Sequence, residues 1–412
     1  MAKQVAVVGA GVVGLACAAA LQRRGHAVTL VDPRPPGEYC SFGNAGCLSL
    51  ASFVPLGLPG AWRKVPGWLL DPAGPLSIRR RYAHRAAPWL WKLHRATSLD
   101  RVNRIADALK PLLGRSIEKW RGLAQWAGVP ELIRQDGYAF AYESEAGYLA
   151  DRLGRELRTA RGVRIEVLTG AEIREFDPAL SASITDLVFL PEQGHVPNPL
   201  RLSQALAERL RAGGARFVTQ AARGFEFSNG RVARIVTDGG SIDADHVVIA
   251  AGAHSGALSA QLAARVPLET ERGYHVMASS PSVTPRIPIC SGEGKFFMTP
   301  MEGGLRVAGT VEFAGLDAPP NFERAELLLP AAKRLLPQLD HGEVTRWMGH
   351  RPSLPDSLPV LGRSARFANA LFAFGHGHVG LTAAAPTADI VACLVDGETP
   401  YMDVTPFSAD RF

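Results

Sequence analysis

The 412-residue chain has few cysteines, and none of them stand in a CxxC spacing; they are Cys17, Cys40, Cys47, Cys290 and Cys393. A disulfide framework and a metal site of the zinc type are therefore both disfavoured, and we expect a reducing, cytoplasmic environment. The chain also lacks an uncharged apolar run of about 18 residues, so no membrane-spanning helix is expected. Its first residues lead directly into a glycine-interrupted apolar run, which is typical of a buried strand rather than a signal peptide.

Charge of one sign is not abundant either. The formal net charge is +6, with 20% charged and 47% hydrophobic residues, which is the composition of an ordinary globular protein. Basic residues crowd into segment 79–104, but no nucleic-acid-binding module accompanies them, so we expect no nucleic-acid partner. Trp62, Trp68, Trp89 and Trp91 beside these basic residues leave open a peripheral contact with the inner face of an anionic membrane. Packing of the same tryptophans inside the protein is the alternative.

The N-terminal residues predict a βαβ unit. A short apolar run at 4–9 indicates a buried strand, and the alanine- and leucine-rich segment 13–24 indicates a helix that ends at Gly25. A second strand is predicted at 27–31, followed by Asp32. Strand, glycine turn, helix and strand within about 30 residues are the first half of a dinucleotide-binding fold.

The turn of this unit reads Gly9-Ala10-Gly11-Val12-Val13-Gly14. Gly9 allows the tight turn, Gly11 lets the backbone approach a pyrophosphate, and Gly14 lets the helix pack against the strand. Asp32 lies 18 residues after Gly14, where its carboxylate can accept hydrogen bonds from ribose hydroxyls. The sequence therefore predicts a dinucleotide whose phosphates lie at the helix N-terminus.

Three further segments carry candidate chemistry. Small residues in 41–46 (SFGNAG) suit a backbone that lies against a flat ring, and 375–382 (GHGHVGLT) opens the last helix, whose N-terminus favours negative charge. In 349–356 (GHRPSLPD), Arg351 stands between turn residues and can clamp a carboxylate with two parallel hydrogen bonds. Taken singly, each segment is also compatible with a plain turn or a surface arginine.

Together, these segments resemble the D-amino-acid-oxidase-like superfamily of FAD enzymes and, within it, the bacterial D-amino-acid dehydrogenases. The matching stretches are VAVVGAGVVGLACAAAL…VTLVD, SFGNAGCLS, VVIAAGAHS, GHRPSLPDSLPVLG and FAFGHGHVGLTAAAPTADIVACLVDG. They occur in family order from one end of the chain to the other, and segment 51–145 matches least.

The resemblance implies an α/β fold class. It combines a Rossmann-like FAD-binding domain of the glutathione-reductase type with a discontinuous α+β substrate domain built on an antiparallel sheet. We expect the FAD-binding domain to comprise residues 1–50, 145–260 and 340–412, and the substrate-binding domain to comprise 51–144 and 261–339.

The resemblance also implies the cofactor site. FAD is expected to be bound non-covalently, because no cysteine stands near residues 296–300, where related enzymes carry a covalent link. Ala222, at the end of the expected strand ARFVTQAA, would touch adenine through its backbone. The expected cofactor-binding residues are Gly9, Gly11, Val12, Val13, Gly14, Asp32, Pro33, Arg34, Ser41, Asn44, Ala45, Gly46, Cys47, Leu48, Ala222, Ala251, Gly252, Gly349, Arg351, Gly377, His378, Val379, Gly380, Leu381 and Thr382.

For the reaction, the resemblance implies oxidative deamination of a small D-amino acid by hydride transfer to flavin N5, with hydrolysis of the imine to a keto acid. The expected catalytic residues are Arg351 for the substrate carboxylate, Tyr274 over the flavin and His376 as an aid to deprotonation of the amine. A cyclic D-proline or hydroxy-D-proline substrate remains open. So do a glycine- or sarcosine-type amine oxidase and oxidation of an aminomethyl group on a larger substrate. The electron acceptor is a quinone, a carrier protein or oxygen.

Overall fold

The computed structural model describes residues 2–63, 65–71 and 74–412, and these residues form 20 strands and 13 α-helices. The strands are β1 Gln4–Val8, β2 Ala27–Val31, β3 Cys47–Leu48, β4 Leu76–Ile78, β5 Tyr138–Tyr142, β6 Glu166–Thr169, β7 Asp186–Leu190, β8 Gly194–His195, β9 Arg216–Val218, β10 Ala222–Ser228, β11 Arg231–Thr237, β12 Gly240–Asp243, β13 His246–Ile249, β14 Glu269–Ala278, β15 Ile289–Ser291, β16 Phe297–Met301, β17 Gly304–Phe313, β18 Val344–Ser353, β19 Val360–Arg363 and β20 Ala370–Phe374.

The helices are α1 Val12–Arg23, α2 Val65–Leu70, α3 Ala83–Ala96, α4 Leu99–Gly114, α5 Ser116–Trp126, α6 Glu145–Ala150, α7 Arg152–Thr159, α8 Ala171–Phe176, α9 Pro199–Ala212, α10 Ser255–Gln261, α11 Glu323–Glu326, α12 Leu328–Leu335 and α13 Gly380–Asp396. Two of them agree with the sequence, in which Pro199 predicts the start of a helix over 199–212 and Gly397 predicts the end of the last helix. Helix α9 begins at Pro199, and α13 ends before Gly397, which has a φ of 81° that favours glycine.

The Rossmann domain is built on a six-stranded sheet in the order β19-β20-β13-β1-β2-β9. Strands β20, β13, β1, β2 and β9 are parallel, and β19 closes one edge in the antiparallel sense. Strand β1 is buried over Val5–Val8, because helices α1 and α13 pack on one face of the sheet and the three-stranded sheet β10-β11-β12 packs on the other. The predicted Rossmann-like α/β fold is confirmed.

Helix α13 packs against α1 on this sheet. The segment Gly377–Asp396 is long and apolar enough to cross a membrane, with a mean hydropathy of 1.5, but 72% of its apolar window is buried inside the protein. Its apolar residues therefore serve the core of the Rossmann domain, where they contact α1, α4 and α5.

The second domain is built on a nine-stranded, mainly antiparallel sheet in the order β18-β14-β17-β16-β15-β5-β7-β6, with β4 paired to β17. The long strands β14 and β18 pair residue by residue, so that Glu271 lies opposite Arg351 and Gly273 opposite Gly349. Strand β17 contains a bulge against β14 between the pairs Arg272–Glu312 and Tyr274–Gly309. This register decides which side chains share the face that covers the site.

The domain bounds differ from the prediction in three places. Strands β6 and β7, expected in the FAD-binding domain, pair with β5 in the nine-stranded sheet, and β18, expected there too, pairs with β14. Helices α4 and α5, expected in the substrate domain, bury their apolar faces against α13 of the Rossmann domain. All three differences concern strand pairing or helix packing between segments that are far apart in the chain, which local sequence patterns do not reveal.

Local structure differs from the prediction in two further segments. The many prolines and tryptophans of residues 51–100 predict irregular structure there, but the structure places helix α3 and the start of α4 in this region. The amphipathic pattern of residues 145–161 predicts a single helix, but the structure has two helices, α6 and α7, which meet at Asp151.

Candidate active site

A single cavity of about 620 Å³ runs between the Rossmann sheet and the nine-stranded sheet. One end, here called the nucleotide end, is lined by Gly9, Gly11 and Asp32; the other, here called the arginine end, is lined by Glu271, Thr310 and Arg351. Its volume lies within the range of about 300–1,000 Å³ that is usual for small-molecule and cofactor sites. Sequence segments separated by more than 300 residues therefore meet at one site.

At the nucleotide end, the turn between β1 and α1 is packed too closely for side chains. Gly9 has a φ of 111°, and a Cβ there would lie 2.3 Å from the Ala250 carbonyl oxygen. A Cβ on Gly14 would lie 1.9 Å from the carbonyl oxygen of Gly9, although Gly14 itself does not line the cavity. These glycines allow the helix, the turn and β13 to approach one another, as predicted from the motif.

The start of α1 is arranged for an anion. Its first turn contains no acidic residue, and Ser41 accepts the N–H of Val12 through Oγ at 2.8 Å. Asp32 accepts the N–H groups of Ala10 at 2.8 Å and Arg34 at 2.9 Å, so that its carboxylate is fixed at the cavity wall. A second lone pair on each oxygen is free to accept a ribose hydroxyl.

The flavin-loop segment 41–46 is a compact turn. The Asn44 side chain donates to the Ser41 carbonyl at 2.6 Å and accepts the N–H of Gly46 at 2.7 Å. Gly46 has a φ of 75°, and a Cβ there would lie 2.7 Å from the Val196 carbonyl oxygen. The segment is therefore shaped by its own side chains before any ligand binds.

The nine-stranded sheet holds this loop by its carbonyl groups. Arg306 of β17 donates to the carbonyls of Phe42 at 2.9 Å and Asn44 at 2.7 Å, and Thr299 donates to that of Ala45 at 2.8 Å. Burial lowers the pKa of Arg306 to about 10, so the guanidinium stays protonated near neutral pH. Arg306 is not among the residues predicted from the sequence, although an arginine at an apolar position of a predicted strand was the available signal.

The start of α13 joins the loop to the Rossmann domain. Thr382 accepts the N–H of Ser49 at 3.0 Å and donates to the Cys47 carbonyl at 3.3 Å, while Trp120 donates to the Leu381 carbonyl at 2.8 Å. Gly377 has a φ of 52°, and the residues from Gly377 to Thr382 line the cavity. The free N–H groups of this turn therefore face the same space as the flavin loop.

The arginine end is formed by β14, β17 and β18. Arg351 extends from β18 across β14, where a Cβ on Gly273 would lie 2.1 Å from its Nη2, and it donates from Nη1 to the Thr310 carbonyl at 3.0 Å. Thr310 has a φ of 57°, which is strained for a β-branched residue and turns this carbonyl out of the strand ladder. Glycine and bulge thus hold the guanidinium at the cavity wall.

Glu271 is a buried carboxylate beside Arg351 that is not among the residues predicted from the sequence. It accepts a hydrogen bond from His378 Nε2 at 2.6 Å. Burial alone would raise the pKa of Glu271, but the charges of His378 and Arg351 and the hydrogen bonds of His378 and Ser353 outweigh it and hold the pKa below its ordinary value. Burial lowers the pKa of Arg351, whereas Glu271 and Cys40 oppose that shift.

In two of the three expected catalytic residues, the polar group of the side chain is hydrogen-bonded to other protein groups. Tyr274 reaches the cavity wall, but its hydroxyl donates to Glu312 at 2.6 Å and accepts the N–H of Asn321 at 3.0 Å. His376 is hydrogen-bonded to Thr387 at 3.1 Å, and burial lowers its pKa to about 3. A histidine with that pKa is a poor base for an amine. Of the expected three, Arg351 alone presents a free charged group to the cavity.

Five expected cofactor residues do not line the cavity: Gly14, Pro33, Arg34, Leu48 and Ala222. The prediction that Ala222 ends the strand ARFVTQAA is wrong. Strand β9 stops at Val218, and Ala222 begins β10, where it pairs with Thr237. Arg34 lies 3.7 Å above the ring of Tyr39, and Leu48 is fully buried in the core. The other expected cofactor residues all lie on the cavity wall.

The cavity wall also contains residues that the sequence did not reveal. Tyr39 lines it and stacks on His350, to whose Nδ1 its hydroxyl is hydrogen-bonded. Trp347 lines it and stacks on His275 at 5.0 Å between ring centroids. An apolar arm of the cavity reaches helices α2 and α3 and is lined by Leu56, Trp62, Val65, Trp68, Leu90 and Leu93.

These features fit FAD. The glycine turn leaves room for a pyrophosphate, Asp32 accepts hydroxyl groups, and the cavity continues past the flavin loop to the arginine end. Among the described residues, no group of three or more histidines, cysteines, aspartates or glutamates is arranged to hold a metal ion.

Comparison with known proteins supports the same interpretation. A family model described as "DAO: FAD dependent oxidoreductase" matches residues 4–394. A D-amino-acid oxidase of Bradyrhizobium diazoefficiens is 42% identical over 100% of this chain and 99% of its own length. A D-amino acid dehydrogenase of Paramagnetospirillum magneticum is 33% identical over 99% of both chains. Glycine oxidase from Geobacillus kaustophilus shares the fold, with a TM-score of 0.79 and 22% identity over 100% of this chain and 99% of its own.

Proposed function

We propose that this chain, which belongs to the DAO family of FAD-dependent oxidoreductases, oxidises a small D-amino acid at the bond between its α-carbon and nitrogen. The predicted family and the predicted cofactor are confirmed by the family match. The D configuration is supported by the two relatives that match nearly the whole chain, a D-amino-acid oxidase and a D-amino acid dehydrogenase. The observation that carries the proposal is the guanidinium of Arg351, held at the far end of a dinucleotide cavity.

Arg351 performs the central positioning step. Its Nη1 is fixed by the Thr310 carbonyl, so that its remaining N–H groups are available for two parallel hydrogen bonds to a substrate carboxylate. A carboxylate held in this way fixes the α-carbon next to it, and such orientation removes several kcal/mol of the barrier in related chemistry. Bound FAD supplies the acceptor for the hydride that leaves the α-carbon.

The product depends on whether the substrate nitrogen is a primary or a secondary amine. A primary amine gives an imine that water hydrolyses to a keto acid, whereas a cyclic secondary amine such as D-proline gives a cyclic imine. The cavity wall near Arg351 contains Val311 and Phe313, which suit an aliphatic side chain or ring. We therefore include cyclic D-proline-type substrates in the proposal.

Bleaching of the bound flavin without oxygen tests this function. The purified, FAD-loaded protein is mixed anaerobically with D- and L-alanine, D- and L-proline, glycine and sarcosine, and its visible absorbance is followed. We expect D-alanine or D-proline to bleach the flavin while the L enantiomers do not. Bleaching by glycine or sarcosine alone would assign a glycine-oxidase-type activity instead, and no bleaching by any of them would exclude the proposal.

For the electron acceptor we propose an apolar, quinone-type carrier at an anionic lipid surface. The helices that line the apolar arm also expose large apolar residues, with Leu70 of α2 84% exposed and Trp91 of α3 63% exposed. Arg80, Arg81 and Arg85, which stand between these two residues in the chain, are also exposed and would complement anionic headgroups. This proposal places the protein in the cytoplasm with a peripheral contact at the inner face of the membrane.

Two measurements test the acceptor. During turnover, the yield of peroxide in air is compared with the reduction of a short-chain quinone, and quinone reduction is expected to dominate. Flotation with vesicles that contain anionic phospholipid is expected to carry the protein, and added salt is expected to release it. Stoichiometric peroxide and no flotation would assign oxygen as the acceptor and remove the membrane contact.

A further inference from the structure

The arginine end contains one charged group that the proposed reaction does not yet use. Glu271 is 3% exposed and lines the cavity, and it lies directly opposite Arg351 in the pairing of β14 with β18. Opposite residues in an antiparallel pair project from the same face with Cβ atoms about 5 Å apart. The carboxylate and the guanidinium are therefore neighbours on the cavity wall.

The two charges are not joined to each other. Arg351 donates to the Thr310 carbonyl, and Glu271 accepts from His378. His378 is hydrogen-bonded to Oε2 of Glu271, and the hydroxyl of Ser353, which has no other partner among the described residues, also stabilises this carboxylate. A carboxylate has about four lone-pair sites, so acceptor capacity of Glu271 and several guanidinium N–H groups of Arg351 remain available side by side.

The charge balance of this wall favours one class of ligand. Burying a charge without a partner is costly. The carboxylate of Glu271 and the guanidinium of Arg351 both line the cavity, whereas the third ionisable group, His378, is 33% exposed, so that solvent screens its charge. An anionic ligand without an amine would add an uncompensated negative charge next to Glu271. A zwitterion adds none, because its carboxylate can face Arg351 while its ammonium group faces Glu271.

We propose that Glu271 is the residue that binds the substrate amine and makes the site selective for zwitterionic amino acids over other carboxylates. His378 acts through Glu271 as a positioning residue, since its N–H fixes one oxygen and leaves the other directed to the amine. This inference rests on the proposed function, because it presupposes that Arg351 binds the substrate carboxylate. Glu271 thereby defines the substrate class by charge rather than by shape.

A matched pair of ligands tests the inference. D-proline carries a ring nitrogen, and (R)-tetrahydrofuran-2-carboxylate carries an oxygen in the same position with the same carboxylate. Binding of each to the FAD-loaded protein is read from the perturbation of the flavin spectrum, and D-proline is also read from the concentration that gives half-maximal anaerobic bleaching. We expect the native protein to prefer D-proline by about 10-fold or more, as is typical of a hydrogen bond to a charged group.

Glu271→Gln removes the charge while keeping the shape. We expect it to weaken D-proline binding about 10- to 100-fold and to leave binding of the oxygen analogue unchanged or tighter. Glu269→Gln is the matched control, because Glu269 lies on the same strand but binds the Tyr82 hydroxyl outside this cavity. FAD content and thermal unfolding of each variant report whether the fold is intact.

The outcomes separate the two proposals. Equal losses for both ligands in Glu271→Gln, or no loss for either, would overturn the role of Glu271. If the variant fails to fold, the native protein still decides, since equal affinity for the two ligands would also overturn it. If no amino acid bleaches the flavin but D-proline still binds selectively, the proposed reaction fails while the zwitterion site stands.

Discussion

The two ends of the cavity are built in different ways. The nucleotide end is formed by backbone groups and by glycines that leave space for the ligand. Its residues come mainly from the first 46 of the chain. At the arginine end, side chains from β14, β17, β18 and the turn before α13 supply the charges. We therefore expect cofactor binding at the nucleotide end to be lost when a side-chain atom is added to a glycine. Substrate binding at the arginine end should be lost when a single charged side chain is removed.

Gly9→Ala is expected to give the largest effect. The new Cβ would lie 2.3 Å from the Ala250 carbonyl oxygen at a φ of 111°, and clash and backbone strain together cost about 2–6 kcal/mol. We expect the purified variant to contain little FAD and to unfold at a much lower temperature. Gly122→Ala is the control, because its Cβ meets nothing within 4 Å in α5, and it is expected to stabilise by about 0.5–1 kcal/mol. A yellow, stable Gly9→Ala protein would contradict this account of the nucleotide end.

Arg351→Ala should break the arginine end and spare the nucleotide end. Loss of the guanidinium is expected to cost about 2–5 kcal/mol of substrate binding, measured as a rise in KM, while FAD content stays at the native level. Arg346→Ala on the same strand is the control, since Arg346 is exposed and pairs with Glu326. An unchanged KM in Arg351→Ala would remove this residue from the substrate site.

Acid is expected to weaken both regions by the same mechanism. Burial lowers the pKa of His246 to about 4 and of His376 to about 3 in the Rossmann domain. It also lowers the pKa of His275 to about 3 and of His350 to about 4 in the nine-stranded sheet. The unfolded chain therefore binds more protons below pH about 6.5, and the free energy of unfolding falls as the pH drops from there towards 4.

Each of these histidines contributes up to about 1.4 kcal/mol per pH unit in that window. Denaturant unfolding at a series of pH values measures the slope. His376→Gln tests the Rossmann domain, and His275→Gln tests the nine-stranded sheet. Each variant is expected to reduce the slope of the free energy of unfolding against pH by the contribution of one proton, up to about 1.4 kcal/mol per pH unit. A stability that does not change between pH 6.5 and 4.5 would show that these rings are protonated in the folded protein.

Thr310→Gly is expected to give the smallest effect on stability and substrate binding. It tests whether the backbone, rather than the side chain, of Thr310 holds Arg351 at the arginine end. Glycine accepts the φ of 57° without strain, so the variant should be about 1 kcal/mol more stable, measured by thermal unfolding. Because the carbonyl that holds Arg351 belongs to the backbone, KM should change little. A large rise in KM would instead mean that the Thr310 hydroxyl, which is buried on the cavity wall without a hydrogen-bond partner among the described residues, contacts the substrate.

The sequence was informative where chemistry is local. The roles of Gly9, Gly14 and Asp32 follow from their spacing in one βαβ unit, and the structure places Gly9 and Asp32 on the cavity wall and Gly14 at the helix–strand contact. Capping residues predicted the bounds of α9 and the end of α13 for the same reason.

The sequence was less informative where strands far apart in the chain must be paired. Glu271 and Arg306 occupy strand positions whose importance depends on which strand lies next to them, and that register is fixed only by the folded sheet. For this reason Ala222 was assigned to the wrong strand, and the residues of β6 and β7 were assigned to the FAD-binding domain. The commitment of Tyr274 to Glu312 likewise depends on the pairing of β14 with β17.

A crystal structure of the FAD-bound protein with an amino acid, grown without oxygen, tests the central claim most directly. We predict that the substrate carboxylate lies about 3 Å from the free guanidinium nitrogens of Arg351, with the flavin ring between the loop at 41–46 and the start of α13. A carboxylate bound elsewhere in the cavity, with Arg351 still bonded to the Thr310 carbonyl alone, would contradict the account.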